Sequence, residues 1–248
     1  MENTRIKKYY TAKEDKSIFI TAEVGINHNG DMNIVKKLID MASNTGCDAV
    51  KFQKRTIDIV YDKEMLDSPR ESPWGTKQRE QKNGLEFGND EYNQIDEYCK
   101  EKGIDWFASA WDLESQSFLR NFNLKYNKIA SAMLTYTSLL EMVAEEGLHT
   151  FVSVGLSTID DIDNAVNIFS KAGCPFELMY TVSTYPCDIS DIDINCITML
   201  RERYGCSVGY SGHETSAYFV CLAAVAVGAS SIERHITLDR TMWGTDQM

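Results

Sequence analysis

Short runs that alternate apolar and polar residues recur along the chain, each followed by a stretch in which apolar residues return every three or four positions. The first pattern puts successive side chains on opposite faces of a strand; the second lines one face of a helix. Eight strands are predicted: IFITAEVG (18–25), AVKFQ (49–53), WFASAW (106–111), KIAS (128–131), TFVSV (150–154), ELMYTV (177–182), VGYS (208–211) and SIERHIT (231–237). Helices are predicted over 31–45, 90–102, 137–147, 159–172, 191–204 and 215–228. Strands alternating with helical crossovers form a parallel sheet, and eight of them predict closure into a (β/α)8 TIM barrel of the α/β class.

Within the first helix Met32, Val35, Leu38, Ile39 and Ala42 share one face, and Tyr92, Ile95 and Tyr98 do so in the second. The segment TSAYFVCLAAVAVG is apolar almost all round, which predicts a well-buried helix. The connection from Lys54 to about Asn89 is too long for an ordinary strand-to-helix loop and is expected to be a functional lid or disordered. No linker or repeat divides the sequence, so residues 1–248 read as one catalytic barrel domain. The eighth strand leaves 11 residues after Thr237, so the final covering helix is expected to be missing. Either the chain is a fragment or another subunit covers that face.

Charge narrows the partners. Asp and Glu number 37 against 25 Lys and Arg, a net charge of −12, which argues against nucleic acid. Seven cysteines without a CxxC pair suit reduced thiols, and no signal-like or membrane-spanning run occurs, so a cytoplasmic protein with no membrane partner is expected.

The strands end in polar residues where a barrel core should be apolar: Glu23, Lys51 with Gln53, Ser109, Lys128 with Ser131, Ser153, Ser211 with His213, and His235. The carboxyl ends of all eight strands converge on one mouth, where active sites of this fold form. A buried ammonium needs an anionic neighbour, so Lys51 and Lys128 have either a Glu partner, Glu23 or Glu233, or an anionic ligand. The two lysines and the serines together suit a phosphate and a carboxylate. His213 and His235 close the seventh and eighth predicted strands and can meet as a pair of metal-binding imidazoles. His28 either contacts substrate or shapes a turn, and His149, on the opposite face, is structural. Phosphate-loop, dinucleotide-fold, nucleophile-elbow and zinc-protease motifs are absent, and Ser211 with His213 has no evident orienting carboxylate for a hydrolytic triad.

In chain order the sequence carries AEVGINHNG (22–30), AVKFQ (49–53), FASAWD (107–112), KIAS (128–131), SVGLST (153–158), STYP (183–186), GYSGHE (209–214), IERHITLD (232–239) and WGTDQ (243–247). This ordered set resembles the sialic acid (N-acetylneuraminate) synthases and their relatives that make legionaminate and pseudaminate. The resemblance implies a transferase that condenses phosphoenolpyruvate with an N-acyl amino sugar, N-acetylmannosamine or a diacetamido-hexose, releasing phosphate. It implies a divalent metal on His213 and His235, Mn2+ ahead of Mg2+ or Co2+, and a homodimer. Lys51, Lys128, Ser109, Ser131, Ser153 and Ser211 would hold phosphoenolpyruvate, with Gln53 beside them. Glu23 would be the carboxylate at the reacting centre, and Tyr185 and Asp246 would contact the sugar.

Ser183 stands where many relatives have Asn, Gly212 where they have Asp, and Gly244–Thr245–Asp246 where they have Gly-Pro-Asp. Many relatives continue into an antifreeze-like domain that lends an arginine to a partner's sugar site; this chain is expected to lack it. The competing reading is a catalytically silent barrel that binds a phosphosugar or assembles with other biosynthetic proteins.

Overall fold

The computed structural model describes residues 18–247. The chain runs through β1 (Phe19–Glu23), α1 (Met32–Asn44) and β2 (Ala49–Lys54) into the long connection. That connection folds into α2 (Ile57–Val60), α3 (Lys63–Asp67), the hairpin β3 (Pro69–Ser72) with β4 (Gly75–Lys77), and α4 (Gln78–Leu85). Then follow α5 (Asn89–Lys102), β5 (Asp105–Ala110), α6 (Leu113–Leu119), β6 (Tyr126–Ile129), α7 (Thr137–Ala144) and β7 (His149–Ser153). The rest comprises α8 (Ile159–Ala172), β8 (Phe176–Tyr180), α9 (Asn195–Tyr204), β9 (Val208–Gly212), α10 (Ala217–Ala226) and β10 (Ser231–His235).

Eight of the strands close a barrel in the order β1-β10-β9-β8-β7-β6-β5-β2, with β2 paired back to β1 and the strands parallel. These are the eight predicted strands, shifted by one or two residues at their ends. Alternation sorts their side chains. Val50, Phe52, Trp106, Ala108, Ile129, Val152, Leu178, Val208 and Ile232 are buried in the layer shared with the helices. Ala49, Phe107, Phe151 and Met179, with Phe19 and Tyr126, form a separate cluster. Its rings stack closely, Phe107 on Phe151 at 5.6 Å and Phe19 on Phe151 at 5.4 Å. This aromatic plug fills the amino end of the barrel, so the opposite mouth is where the interior turns polar.

Local signals fix the helices. In α8 the Thr158 side chain caps the first turn while Asp161 accepts from the Thr158 N–H, and Gly173 ends the helix at φ 66°. Helix α6, not predicted from the apolar spacing, starts at Asp112, whose carboxylate accepts from the Ser115 N–H at 2.8 Å. The predicted helix over 191–204 begins only at Asn195, after a 3-10 turn at Ile189–Asp191.

One alternative is set aside and one expectation is corrected. Of the lid and disorder alternatives, disorder is set aside because the connection after β2 is folded: the Gly30 backbone packs against Gly84, and Trp74 meets Trp243 edge-on at 5.1 Å. Helix α10 is not well buried. Only Ala224 is buried in it, while Tyr218, Phe219 and Leu222 are 70%, 74% and 52% exposed. Among the described residues no α-helix follows β10 to lie against α10. No helix among the described residues is long and apolar enough to cross a membrane, and the seven cysteines are free thiols.

Candidate active site

Strand register brings the polar strand ends together. Glu23 pairs with Lys51 on one side and His235 on the other; Gln53 lies beside Ser109, Ser109 beside Lys128, and Ser211 beside Glu233. One cavity of about 650 Å³ at the carboxyl ends is lined by Glu23, Lys51, Gln53, Ser109, Lys128 and Ser131, and by Ser153, Tyr185, Ser211, His213 and His235. An adjoining cavity of about 610 Å³ shares Tyr185, His213 and His235 and adds Asp246. Every residue singled out in the sequence for chemistry therefore lines one of two connected spaces.

At the floor lie four buried charges. The Lys51 Nζ is 2.7 Å from Glu23 Oε2 and 3.6 Å from Glu233 Oε1, and the Lys128 Nζ is 3.0 Å from Glu233 Oε2. Both lysines have carboxylate neighbours, Glu23 and Glu233. Burial alone would lower the Lys51 pKa, but the two carboxylates outweigh it and hold the ammonium above its ordinary value. At Lys128 burial, aided by Lys51, outweighs the attraction of Glu233 and lowers the pKa. Burial would raise the Glu233 pKa, yet Lys128 and Lys51 hold it well below the usual carboxylate range. Two ammoniums and two carboxylates leave this floor neutral, and Ser211 donates to Glu233 at 3.1 Å.

Glycines let the wall residues pack closely. Gly155 donates its N–H to Ser131 Oγ at 3.1 Å, and a Cβ there would lie 2.3 Å from Ser183 Oγ and 2.7 Å from Thr181. Gly25 adopts φ 52° and a Cβ on it would come 3.0 Å from Glu23 Oε1. Gln53 donates to Glu23 Oε1 at 2.8 Å, leaving Glu23 Oε2 to Lys51.

The imidazoles of His213 and His235 lie 5.5 Å apart between centroids, with the Tyr185 ring 4.0 Å from His213. The His213 Nδ1 is 2.6 Å from the Val182 carbonyl, which can only accept, so Nδ1 carries the proton and Nε2 keeps a free lone pair. Burial, with His235 adding to it, lowers the His213 pKa to about 4, so the ring is neutral at physiological pH. The His235 Nδ1 is buried without a hydrogen-bond partner and lies 3.7 Å from Asp246 Oδ2. A carbonyl-oriented neutral imidazole beside an unsatisfied one fits a divalent cation with two protein nitrogens. Among the described residues no cluster of three or more metal-binding side chains occurs.

The other histidines are structural. The His28 Nδ1 accepts from the Gly30 N–H at 3.0 Å and its ring stacks on Phe87, which selects the turn-shaping role. Burial, then the Arg55 charge, lowers the His28 pKa to about 3. His149 packs against Phe151 at the opposite end of the barrel. The sequence offered Glu233 only as a partner for the lysines and gave no site role to Trp111, Thr181 or Ser183; all four line the main cavity. The signal for Glu233 was available: it stands two residues before His235 on one strand and so faces the same side.

The sequence matches the NeuB family over residues 38–248. The chain belongs to the NeuB family. Among its relatives, N-acetylneuraminate-9-phosphate synthase of Drosophila melanogaster is 37% identical over 93% of this chain and 63% of that protein. N,N'-diacetyllegionaminic acid synthase of Campylobacter jejuni is 31% identical, over 93% of this chain and 71% of that protein. The crystal structure of the N-acetylneuraminic acid synthetase of Leptospira borgpetersenii, in complex with citrate, superposes with a TM-score of 0.83 at 33% identity. It covers 93% of this chain and 76% of that one. The NeuB chain described here thus spans less than two thirds of the Drosophila relative's length.

Proposed function

We propose that this NeuB-family barrel condenses phosphoenolpyruvate with an N-acyl amino sugar to give a nonulosonic acid and inorganic phosphate. The observation that carries the reading is the pair of connected cavities. One is floored by Lys51 and Lys128 and ringed by serines; the other is bounded by Tyr185 and Asp246; both meet at His213 and His235. A two-substrate condensation needs such a meeting point, because holding the partners in contact removes much of the entropic barrier.

Lys51, Lys128, Ser109, Ser131, Ser153 and Ser211 hold the phosphate and carboxylate of phosphoenolpyruvate, with Gln53 at its edge. Tyr185 and Asp246 hold the open-chain sugar with its aldehyde toward the two imidazoles. The C3 carbon of the enol forms a bond to the aldehyde carbon, whose oxygen receives the displaced pair and then a proton. A divalent cation held by His213 and His235, Mn2+ first, supplies an electrophile for that oxygen when bound. Water adds to the cationic C2 carbon, and Glu23, held by Gln53 and Lys51, takes its proton. The resulting hemiketal phosphate expels inorganic phosphate and leaves the keto acid. Because the floor is already neutral, the serine hydroxyls carry a large share of the substrate's negative charge.

Phosphate release from phosphoenolpyruvate, followed with Mn2+ and N-acetylmannosamine, a diacetamido-hexose or no sugar, tests the reading. Release is expected only when the metal and one of the sugars are both present. Release independent of sugar, or none with any sugar, would overturn it in favour of a binding protein.

A further inference from the structure

Asn27 takes no part in the proposed chemistry, yet it is 1% exposed and lies in the loop that leads away from Glu23. Its Nδ2 donates to the Ile236 carbonyl at 2.8 Å and to the Asp246 carbonyl at 2.9 Å. Those carbonyls stand at opposite ends of the loop that follows β10, so one amide cinches that loop at its base. A second link runs the other way. Gln247 donates from Nε2 to the Asn27 carbonyl at 3.3 Å and to the Trp243 carbonyl at 3.2 Å, and it accepts from the Thr237 hydroxyl. Carbonyls only accept, so the Asn27 amide nitrogen must face them, and its Oδ1 is left buried without a partner. An unsatisfied acceptor costs free energy that an apolar side chain would not incur. What Asn supplies at this position is therefore the two donated bonds.

The cinched loop carries Asp246 to the second cavity. The Ile236 N–H donates to the Glu23 carbonyl at 3.0 Å, which continues the pairing of β1 with β10 past His235. Asn27 takes hold where that pairing ends and ties the far end of the loop back to it. There the Asp246 Oδ2 lies 3.7 Å from the His235 Nδ1. Among the described residues the Asp246 carboxylate accepts a hydrogen bond from Thr245 alone, at 2.8 Å, and Thr245 belongs to the same loop. The backbone of the loop thus sets where the carboxylate stands. Trp243, against Trp74 of the folded connection, braces the loop on its outer side.

We infer that Asn27 is a positioning residue, whose amide holds the loop after β10 so that Asp246 faces the amino sugar beside the two imidazoles. The inference rests on the proposed condensation, in which Asp246 contacts the sugar. Asn27 lines neither cavity, so it acts through Asp246. The lysines that hold phosphoenolpyruvate in that reaction stand on β2 and β6, away from this loop. Loosening the loop therefore weakens the sugar's hold and spares phosphoenolpyruvate, a division that a general loss of structure would not produce.

The test uses Asn27→Leu, which keeps a branched side chain and removes both donors, with whichever of N-acetylmannosamine or a diacetamido-hexose the wild type turns over. The KM for the sugar is expected to rise about ten-fold, while the Kd for phosphoenolpyruvate, from calorimetry without sugar, stays within about two-fold. In an Asp246→Ala background the same change should add less than about two-fold to KM, because the residue it positions is already gone. A sugar KM that does not move, a phosphoenolpyruvate Kd that rises in step with it, or a full effect in the Asp246→Ala background would each overturn the assignment. Hydrogen exchange of the peptide 238–247 reads the clamp without catalysis and should be about ten-fold faster in Asn27→Leu. If the wild type turns over neither sugar, the condensation fails and exchange alone decides the clamp: faster exchange upholds it and unchanged exchange rejects it. Should Asn27→Leu not fold, Gln247→Leu, which cuts the second link to Asn27, takes its place with the same expected and contrary results.

Discussion

Lys128→Met is expected to raise the Kd for phosphoenolpyruvate about 100-fold, the loss of a charge-assisted contact worth roughly 3 kcal/mol. Lys128 is 3% exposed and its Nζ lies 3.0 Å from Glu233 Oε2. Removing it leaves Glu233 with Lys51 at 3.6 Å and the Ser211 hydroxyl at 3.1 Å, so the fold should also lose about 3 kcal/mol. The two losses separate in the double variant Lys128→Met with Glu233→Leu. Taking away the carboxylate as well removes the stranded charge and should recover most of the stability, because a buried pair exchanged for apolar side chains costs little. It should not recover affinity. Calorimetric titration with phosphoenolpyruvate and denaturant unfolding of both variants check the pattern, and unchanged affinity in Lys128→Met would move the anion site elsewhere.

His213→Ala and His235→Ala are each expected to lower turnover at least 1000-fold, on the order of the 4 kcal/mol that electrophilic stabilisation supplies to an enzyme. Stability should hardly change without metal. His213→Ala leaves the Val182 carbonyl without its 2.6 Å partner, a cost of about 1 kcal/mol, and His235 has no hydrogen bond from Nδ1 to lose. The diagnostic difference is thermodynamic. Metal at 100 times its Kd should stabilise the wild type by about 2.7 kcal/mol and should not stabilise the variants. Normal rates in both variants after chelation would remove the two histidines from the mechanism.

Much of this arrangement is legible in the sequence because alternation in a strand is a strict geometric constraint. Lys51, Lys128, Ser153, Ser211 and His235 all interrupt apolar runs at the carboxyl ends of strands, and closure of the barrel turns that shared position into shared space. The ion pairs are less legible. Which carboxylate answers which lysine depends on register: Glu23 lies beside Lys51 on the adjacent strand, whereas Glu233 reaches Lys128 across the barrel interior. The burial of α10 was misjudged because an all-round apolar helix predicts burial only when something covers each face. Tyr218 and Phe219 face a side where no described helix lies. The connection after β2 defeated periodicity for another reason. Its elements are only 3–8 residues long, held by side-chain caps such as Asp62 on the Met65 N–H and by the Glu80 carboxylate on the Thr76 and Lys77 N–H groups. Segments of that length carry too few apolar positions to show a period.

Phosphoenolpyruvate labelled with 13C at C3, incubated with the protein, Mn2+ and the amino sugar, and followed by NMR, tests the condensation most directly. The label is expected to become a methylene bonded to a sugar-derived CH–OH carbon, in step with phosphate release. Its appearance as the methyl of pyruvate would contradict carbon–carbon bond formation and leave a phosphate-releasing or ligand-binding barrel in its place.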